Sequence, residues 1–151
     1  MAEQPALFSM PQTAETSDDY WTPKWVFDAL GIEFDLDVAC PPDGPPHTPA
    51  KAWYTQETDG LASPWWGCVW MNPPFSKPTP WVRKFIEHGN GVCLVPMSKS
   101  SWFQELWDTA HGITPMPWKL KFDQGAIFMP VVLAAFGSNN VKAIANIGRV
   151  R

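Results

Sequence analysis

The chain has 151 residues, enough for one domain with its own core and no disulfide staples. Apolar residues make up 45% and charged residues 17%, which excludes a disordered chain. The formal net charge of −4 argues against a protein held to nucleic acid by overall charge alone, and no apolar run approaches the ~18 residues of a membrane span.

The first 17 residues lack the basic start and long apolar centre of a signal peptide. They are expected to form a flexible lead-in, with a single domain over 18–151. Thr22-Pro23 ahead of KWVFDALG predicts a helix with Thr22 as N-cap, Pro23 at the first helical position and Gly31 as the stop. IEFDLDVAC alternates apolar and acidic residues and predicts a strand over 33–39. Residues 41–50 read as a proline loop, and DGLASPWW, 59–66, as a turn with at most a short helical piece. CVWMN, 68–72, is a buried strand by its apolar continuity.

Thr79-Pro80 repeats the helix-start signal before WVRKFIEHG, whose Trp81, Val82, Phe85 and Ile86 share a face. GVCLVP, 91–96, is another buried strand. SSWFQELWDTAHG is a helix capped by Ser100 or Ser101 and ended by Gly112. ITPMPWKLKF and AIFMPVVLAAFG read as strands around a turn at Asp123-Gln124-Gly125, with a hairpin as one way to join them, and NNVKAIANIG as a short terminal helix. Apolar strands alternating with amphipathic helices predict an α/β domain: a mostly parallel sheet with helices on both faces.

In such sheets ligands sit beyond the carboxyl ends of the strands. Cys40-Pro41, Asn72-Pro73-Pro74-Phe75 and Pro96-Met97-Ser98 then share one rim. The Asn72 side chain offers an acceptor, and the Pro73 carbonyl is an acceptor held in direction by its own ring and by Pro74. Two acceptors side by side suit the two hydrogens of an NH₂ group on a heterocycle, with Phe75 as a flat face for the ring. The plain alternative is that Asn-Pro-Pro only ends a strand.

Ten Trp predict flat-ring contacts, with Trp65, Trp66, Trp102, Trp107 and Trp118 read mostly as core and one or two on a nucleic-acid side. Cys40, Cys68 and Cys93 contain no C-x-x-C pair, and with His47 they lack ligand-like spacing, so no metal site is expected. His47, His88 and His111 read as surface or loop residues, and Asp35 as part of a solvated strand face. Basic residues cluster at Lys77, Arg83 and Lys84, at Lys119 and Lys121, and at Arg149 and Arg151. Ser98, Lys99 and Ser100 either touch phosphate or cap the next helix.

Together, N-P-P-F after a strand, YWTP at 20–23, FDLDVAC at 34–40, DGL at 59–61 and the W-x-G-x-x-W-M-N-P-P-F context resemble the small phage-type DNA N6-adenine methyltransferases. The resemblance covers roughly residues 18–137. It implies a reduced Rossmann-like methyltransferase fold, S-adenosylmethionine as donor, a flipped adenine in double-stranded DNA as target, and a phage protein working in the host cytoplasm. Carried over by position, it makes Asn72, Pro73, Pro74 and Phe75 the catalytic set. Trp21, Thr22, Pro23, Asp37, Ala39, Cys40, Asp59 and Asn72 become cofactor residues, and Lys77, Arg83 and Lys99 contact DNA. The chain departs from the pattern on the donor side. D-V-A-C-P-P replaces the glycine-rich F-x-G-x-G loop, Glu57 is the nearest candidate for the cofactor ribose, and the 32 residues between Ala39 and Asn72 hardly admit two further strands. The same two acceptors would also serve RNA adenine, cytosine N4 or a protein amide. A non-catalytic DNA-binding relative is the remaining alternative.

Overall fold

The computed structural model describes residues 21–117, 121–122, 125–126 and 130–151. The first 17 residues, Tyr20, Trp118, Lys119, the Lys121 side chain and the turn at Asp123-Gln124 lie outside the described residues.

Helix α1 spans Lys24–Leu30 and ends at Gly31, whose N–H bonds to the Phe27 carbonyl at 3.0 Å. Pro23, not Thr22, holds the N-cap position, and no side chain caps the helix. The physical reason is a competing partner: the Thr22 hydroxyl accepts a hydrogen bond from Asn72, fifty residues away. At α2, Thr79–His88, the shift runs the other way: Pro78 holds the N-cap position, one residue before the expected Thr79. Prolines cost nothing there, because the first N–H groups of a helix have no intrahelical acceptor. Helix α3, Ser101–Thr109, has Ser100 at its N-cap, but the Ser100 hydroxyl meets Ser98 instead of the helix. Gly112 does not end α3, because Ala110 already leaves it in an extended conformation. Helix α4 is Ser138–Ile144.

The strands are β1 (Phe34–Asp37), β2 (Ala50–Trp53), β3 (Val69–Met71), β4 (Gly91–Pro96), β5 (Gly112–Pro115), β6 (Lys121–Phe122), β7 (Gly125–Ala126) and β8 (Val131–Phe136). β2 lies where the proline loop was expected to run on. The twelve residues 38–49 carry the chain from the end of β1 back to the start of β2, about the shortest crossover that a parallel pair allows. One added strand fits before β3, not two.

The main sheet has the order β2-β1-β3-β4-β8-β5, and β6 pairs with β7 in a separate ladder. The expectation of a mostly parallel sheet is corrected to a mixed one. β2, β1, β3 and β4 are mutually parallel, while β8 is antiparallel to both β4 and β5. The connection fits this: among the described residues no helix separates β5 from β8, and a strand reached without a crossover returns antiparallel.

Strand alternation sorts the core onto two faces. Trp70, Val92, Leu94, Leu133 and Ala135 pack with α1 and α4, where Phe27 meets Trp70 edge-on at 4.8 Å. Leu36, Val69, Met71, Cys93, Val95, Val132 and Ala134 pack with α2 and α3. Helices therefore cover both faces, which leaves the strand ends as the place for a ligand. From β1 the chain goes outward to β2, and from β3 it goes outward the other way to β4. The topological switch point is thus the crevice between the carboxyl ends of β1 and β3. Among the described residues, no helix is long and apolar enough to cross a membrane.

Candidate functional site

A cavity of about 440 Å³ opens at this switch point, within the range of ~300–1,000 Å³ usual for small-molecule sites. From the β1 end it is lined by Ala39, Cys40, Pro41 and Pro42, and from the β3 end by Asn72 and Pro74. Thr55, Gln56, Asp59 and Gly60 form the opposite wall, and Trp21 and Trp81 are its aromatic sides. A small inner recess adds Thr22, Asp37, Pro46, Thr48 and Trp70.

Asp37 ends β1 and is 3% exposed. Its carboxylate accepts the Ala39 N–H at 3.2 Å. Burial nevertheless dominates and raises its pKa from 3.8 to about 6, against the opposing hydrogen bonds from Ala39 and Thr48. The ionised carboxylate therefore costs stability above about pH 6, and the cost vanishes below 3.8, where folded and unfolded states are both protonated. Asp37→Asn is expected to stabilise the fold at pH 7–8, by up to about 3 kcal/mol at ~1.4 kcal/mol per tenfold. The gain should fade as the pH falls from about 6 towards 4, and urea unfolding at several pH values reads it directly.

The turn after Asp37 replaces a glycine loop with packing. Cys40 N–H bonds to the Tyr54 carbonyl at 2.9 Å, and the Gly44 N–H to the Pro41 carbonyl at 2.9 Å. Burial, with the Asp37 charge adding to it, pushes the Cys40 thiol up to about 12, so it lines the pocket as a neutral group and not as a nucleophile. The glycine that allows close approach sits in the opposite wall. A Cβ on Gly60 would stand 2.0 Å from the Val38 carbonyl oxygen and 3.1 Å from the Trp81 ring.

The wall segment is held from below by Lys84, whose ammonium donates to the carbonyls of Leu61 at 2.7 Å and Ser63 at 2.6 Å, and more distantly to Gly60 at 3.4 Å. It also stands over the Trp65 ring at 5.2 Å, and the Trp65 indole N–H bonds to the Gly60 carbonyl at 2.7 Å. Asp59, in left-handed backbone at φ 57°, accepts the Ala62 N–H and turns the chain into this wall.

Asn72 is half-buried at the end of β3, and its Nδ2 donates to Thr22 Oγ1 at 3.1 Å. Pro73 is buried, and Pro74 faces the cavity. Phe75 is half-buried and packs against the core on the α1 and α4 side, so it flanks the cavity instead of lining it.

Among the expected cofactor residues, Trp21, Ala39, Cys40, Asp59 and Asn72 meet in the cavity, Thr22 and Asp37 lie in its recess, and Pro23 starts α1 beside them. Thr55, Gln56, Gly60 and Trp81 are among the lining residues that sequence reasoning missed, with Pro42, Pro46, Thr48 and Trp70, while Glu57 is exposed on the same turn as Gln56.

The basic residues separate. Lys77 and Lys99 are exposed in the loops after β3 and β4, whereas Arg83 pairs with Glu105 of α3 at 3.1 Å. Lys84 is spent on the wall, and the Arg151 guanidinium lies 4.1 Å over the Trp107 ring. Trp66, expected in the core, is 46% exposed, because it precedes β3 at the opposite end of the sheet. Asp35 is not merely solvated: it accepts the Cys68 N–H at 2.8 Å, which lowers its pKa, and pairs with Lys51. Among the described residues no group of His, Cys, Asp and Glu is placed to hold a metal.

Among the described residues, the combined lining of cavity and recess contains two carboxylates, Asp37 and Asp59, three tryptophans and no basic side chain. Such a site repels phosphates and favours a ligand that carries positive charge beside flat apolar groups.

Residues 10–129 match the family described as DNA N-6-adenine-methyltransferase (Dam). A DNA N-6-adenine-methyltransferase of Escherichia phage T1 is 36% identical over 113 residues, 67% of this chain and 46% of that protein. A second, from Haemophilus phage HP1, is 35% identical over 86 residues, 53% of this chain and 48% of that protein. The chain thus spans about half the length of the curated relatives it matches. No solved structure matches it significantly.

Proposed function

The chain belongs to the DNA N-6-adenine-methyltransferase (Dam) family, and on that footing we propose that it transfers a methyl group from S-adenosylmethionine to the N6 amine of a flipped-out adenine in DNA. The observation that carries the reading is the placement of Asn72 and Pro74, with Pro73 between them, at a cavity whose described lining has acids and tryptophans and no basic side chain. S-adenosylmethionine supplies an electrophilic methyl group on a sulfonium, which leaves as a neutral thioether, and its net positive charge and flat adenine fit this lining. Asp37 and Asp59 balance the charge, and Trp21 and Trp81 flank the apolar parts.

On the target side Asn72 Oδ1 and the Pro73 carbonyl accept the two hydrogens of the N6 amine. Holding both hydrogens draws the nitrogen towards tetrahedral geometry and away from conjugation with the ring. The same acceptors support the positive charge that grows on nitrogen as the new N–C bond forms. No covalent enzyme intermediate is needed, and the lost proton passes to solvent. Phe75, anchored on the core, offers its remaining face to the base. Lys77 and Lys99, exposed on the same rim, meet phosphates, with Arg83 contributing from α2. Extruding the base costs a few kcal/mol, which stacking and phosphate contacts offset.

Incubation of the protein with DNA and methyl-tritiated S-adenosylmethionine, followed by nucleoside mass analysis, tests the reading. N6-methyladenine in DNA is the expected product. Label only in RNA adenine, in cytosine N4 or in protein moves the same chemistry to another amine. Calorimetry with S-adenosylmethionine showing neither heat nor a thermal shift would leave a binding module without a donor.

A further inference from the structure

Thr22 was expected to cap α1 and to line the donor pocket, and it caps nothing. It is 6% exposed and lies in the inner recess, where its Oγ1 takes the Nδ2 donor of Asn72 at 3.1 Å. An amide has two unlike ends on one rigid plane, an acceptor oxygen and a donor nitrogen. Only the oxygen can receive a hydrogen from an amine. A side chain free to turn about its last bond would present the nitrogen part of the time and meet the amine donor to donor.

We propose that Thr22 is the positioning residue of the transfer reaction: by accepting Asn72 Nδ2 it fixes the amide so that Oδ1 meets the substrate amine. This rests on the methyl-transfer reading above. A carbonyl oxygen accepts two hydrogen bonds, so Oδ1 can serve the amine alongside any protein partner. The geometry also ties the two halves of the site together. Thr22 precedes α1, beside Trp21 of the cavity wall, and Asn72 ends β3. A donor that seats against Trp21 therefore settles the segment that orients the acceptor, which links donor binding to readiness for the amine.

The test compares Thr22→Val, which keeps the shape and removes the hydroxyl, with Thr22→Ser, which keeps the hydroxyl. Single-turnover methylation of DNA with saturating S-adenosylmethionine reads the chemical step, and calorimetry reads donor affinity. Thr22→Val should slow the step roughly 10- to 100-fold, the scale of a misplaced reacting group. Donor affinity should change less than about fivefold, the scale of one ordinary hydrogen bond. Thr22→Ser should recover most of the rate. In an Asn72→Ala background, Thr22→Val should cost nothing more, because a group that acts through Asn72 has nothing left to orient.

The side-chain amide signals of Asn72, assigned in nitrogen-edited NMR spectra by their loss in Asn72→Ala, give a readout that needs no turnover. They should shift in Thr22→Val and hold in Thr22→Ser. The proposal is overturned if Thr22→Val methylates within twofold of wild type, if its loss lies wholly in donor affinity, or if the two substitutions multiply. If the wild-type chain methylates no amine at all, the methyl-transfer reading falls and takes this role with it. If the wild type methylates DNA and Thr22→Val is silent, the role alone falls.

Discussion

Asn72→Ala is expected to cut methylation of DNA to a small residual rate while S-adenosylmethionine still binds. In the proposed reaction Asn72 supplies one of two acceptors for the target amine, and that bond strengthens as charge develops on nitrogen. Loss of an interaction of this kind costs about 10²–10³ in the chemical step. The donor side loses at most one hydrogen bond and some contact area at the cavity edge, an effect of about fivefold or less on affinity. A fall in rate without a matching fall in donor affinity is the signature of a group that acts mainly in the transition state. Asn72 is half-buried at the end of a strand, so a thermal melt must show that the fold survives. Tritium transfer to adenine at a near-wild-type rate would remove Asn72 from the mechanism.

The strand end that carries the proposed target side could be read because its signals are local. The apolar run of β4 and the abrupt Asn72-Pro73-Pro74 break after β3 need no knowledge of the rest of the chain. The donor side was harder because its parts become a site only in space. β2 reads AKAW with alternate half-exposed residues at a sheet edge, directly after a proline loop, so neither length nor apolarity announces a strand. Thr22 carries the signal of a helix cap, and only the fold reveals that Asn72 claims its oxygen. Lys84 reads as one of three clustered cations, two of them on α2, yet its ammonium is turned to the carbonyls of the 61–63 turn. The antiparallel sense of β8 beside β5 is a matter of connection and not of residue pattern.

A glycine in the cavity wall carries the second large prediction. No glycine loop follows β1, but the wall that faces its carboxyl end approaches the β1 backbone closely enough to require a glycine. Here it is Gly60, facing the Val38 carbonyl across a gap too narrow for a methyl group. Neither side can retreat cheaply. Val38 is fully buried and its N–H bonds to the Trp70 carbonyl at 3.1 Å. The Gly60 segment is held by the Trp65 indole and by the Lys84 ammonium on the Leu61 and Ser63 carbonyls.

Gly60→Ala must therefore break one of these sets, at a cost of about 2–4 kcal/mol, in the upper range for forcing atoms into packed structure. That corresponds to a fall in Tm of roughly 5–10 °C for a domain of this size. Whichever side moves, the wall that carries Thr55, Gln56 and Asp59 shifts relative to Ala39 and Cys40, and S-adenosylmethionine affinity is expected to drop by tenfold or more, since ~1.4 kcal/mol suffices for that. Gln56→Ala separates wall chemistry from wall position. It removes an exposed lining side chain without touching the backbone contact, and should weaken binding with little change in Tm. A Gly60→Ala protein that melts and binds as wild type does would show that the 60–63 wall does not press on the end of β1, and the donor site would have to be sought elsewhere on the rim.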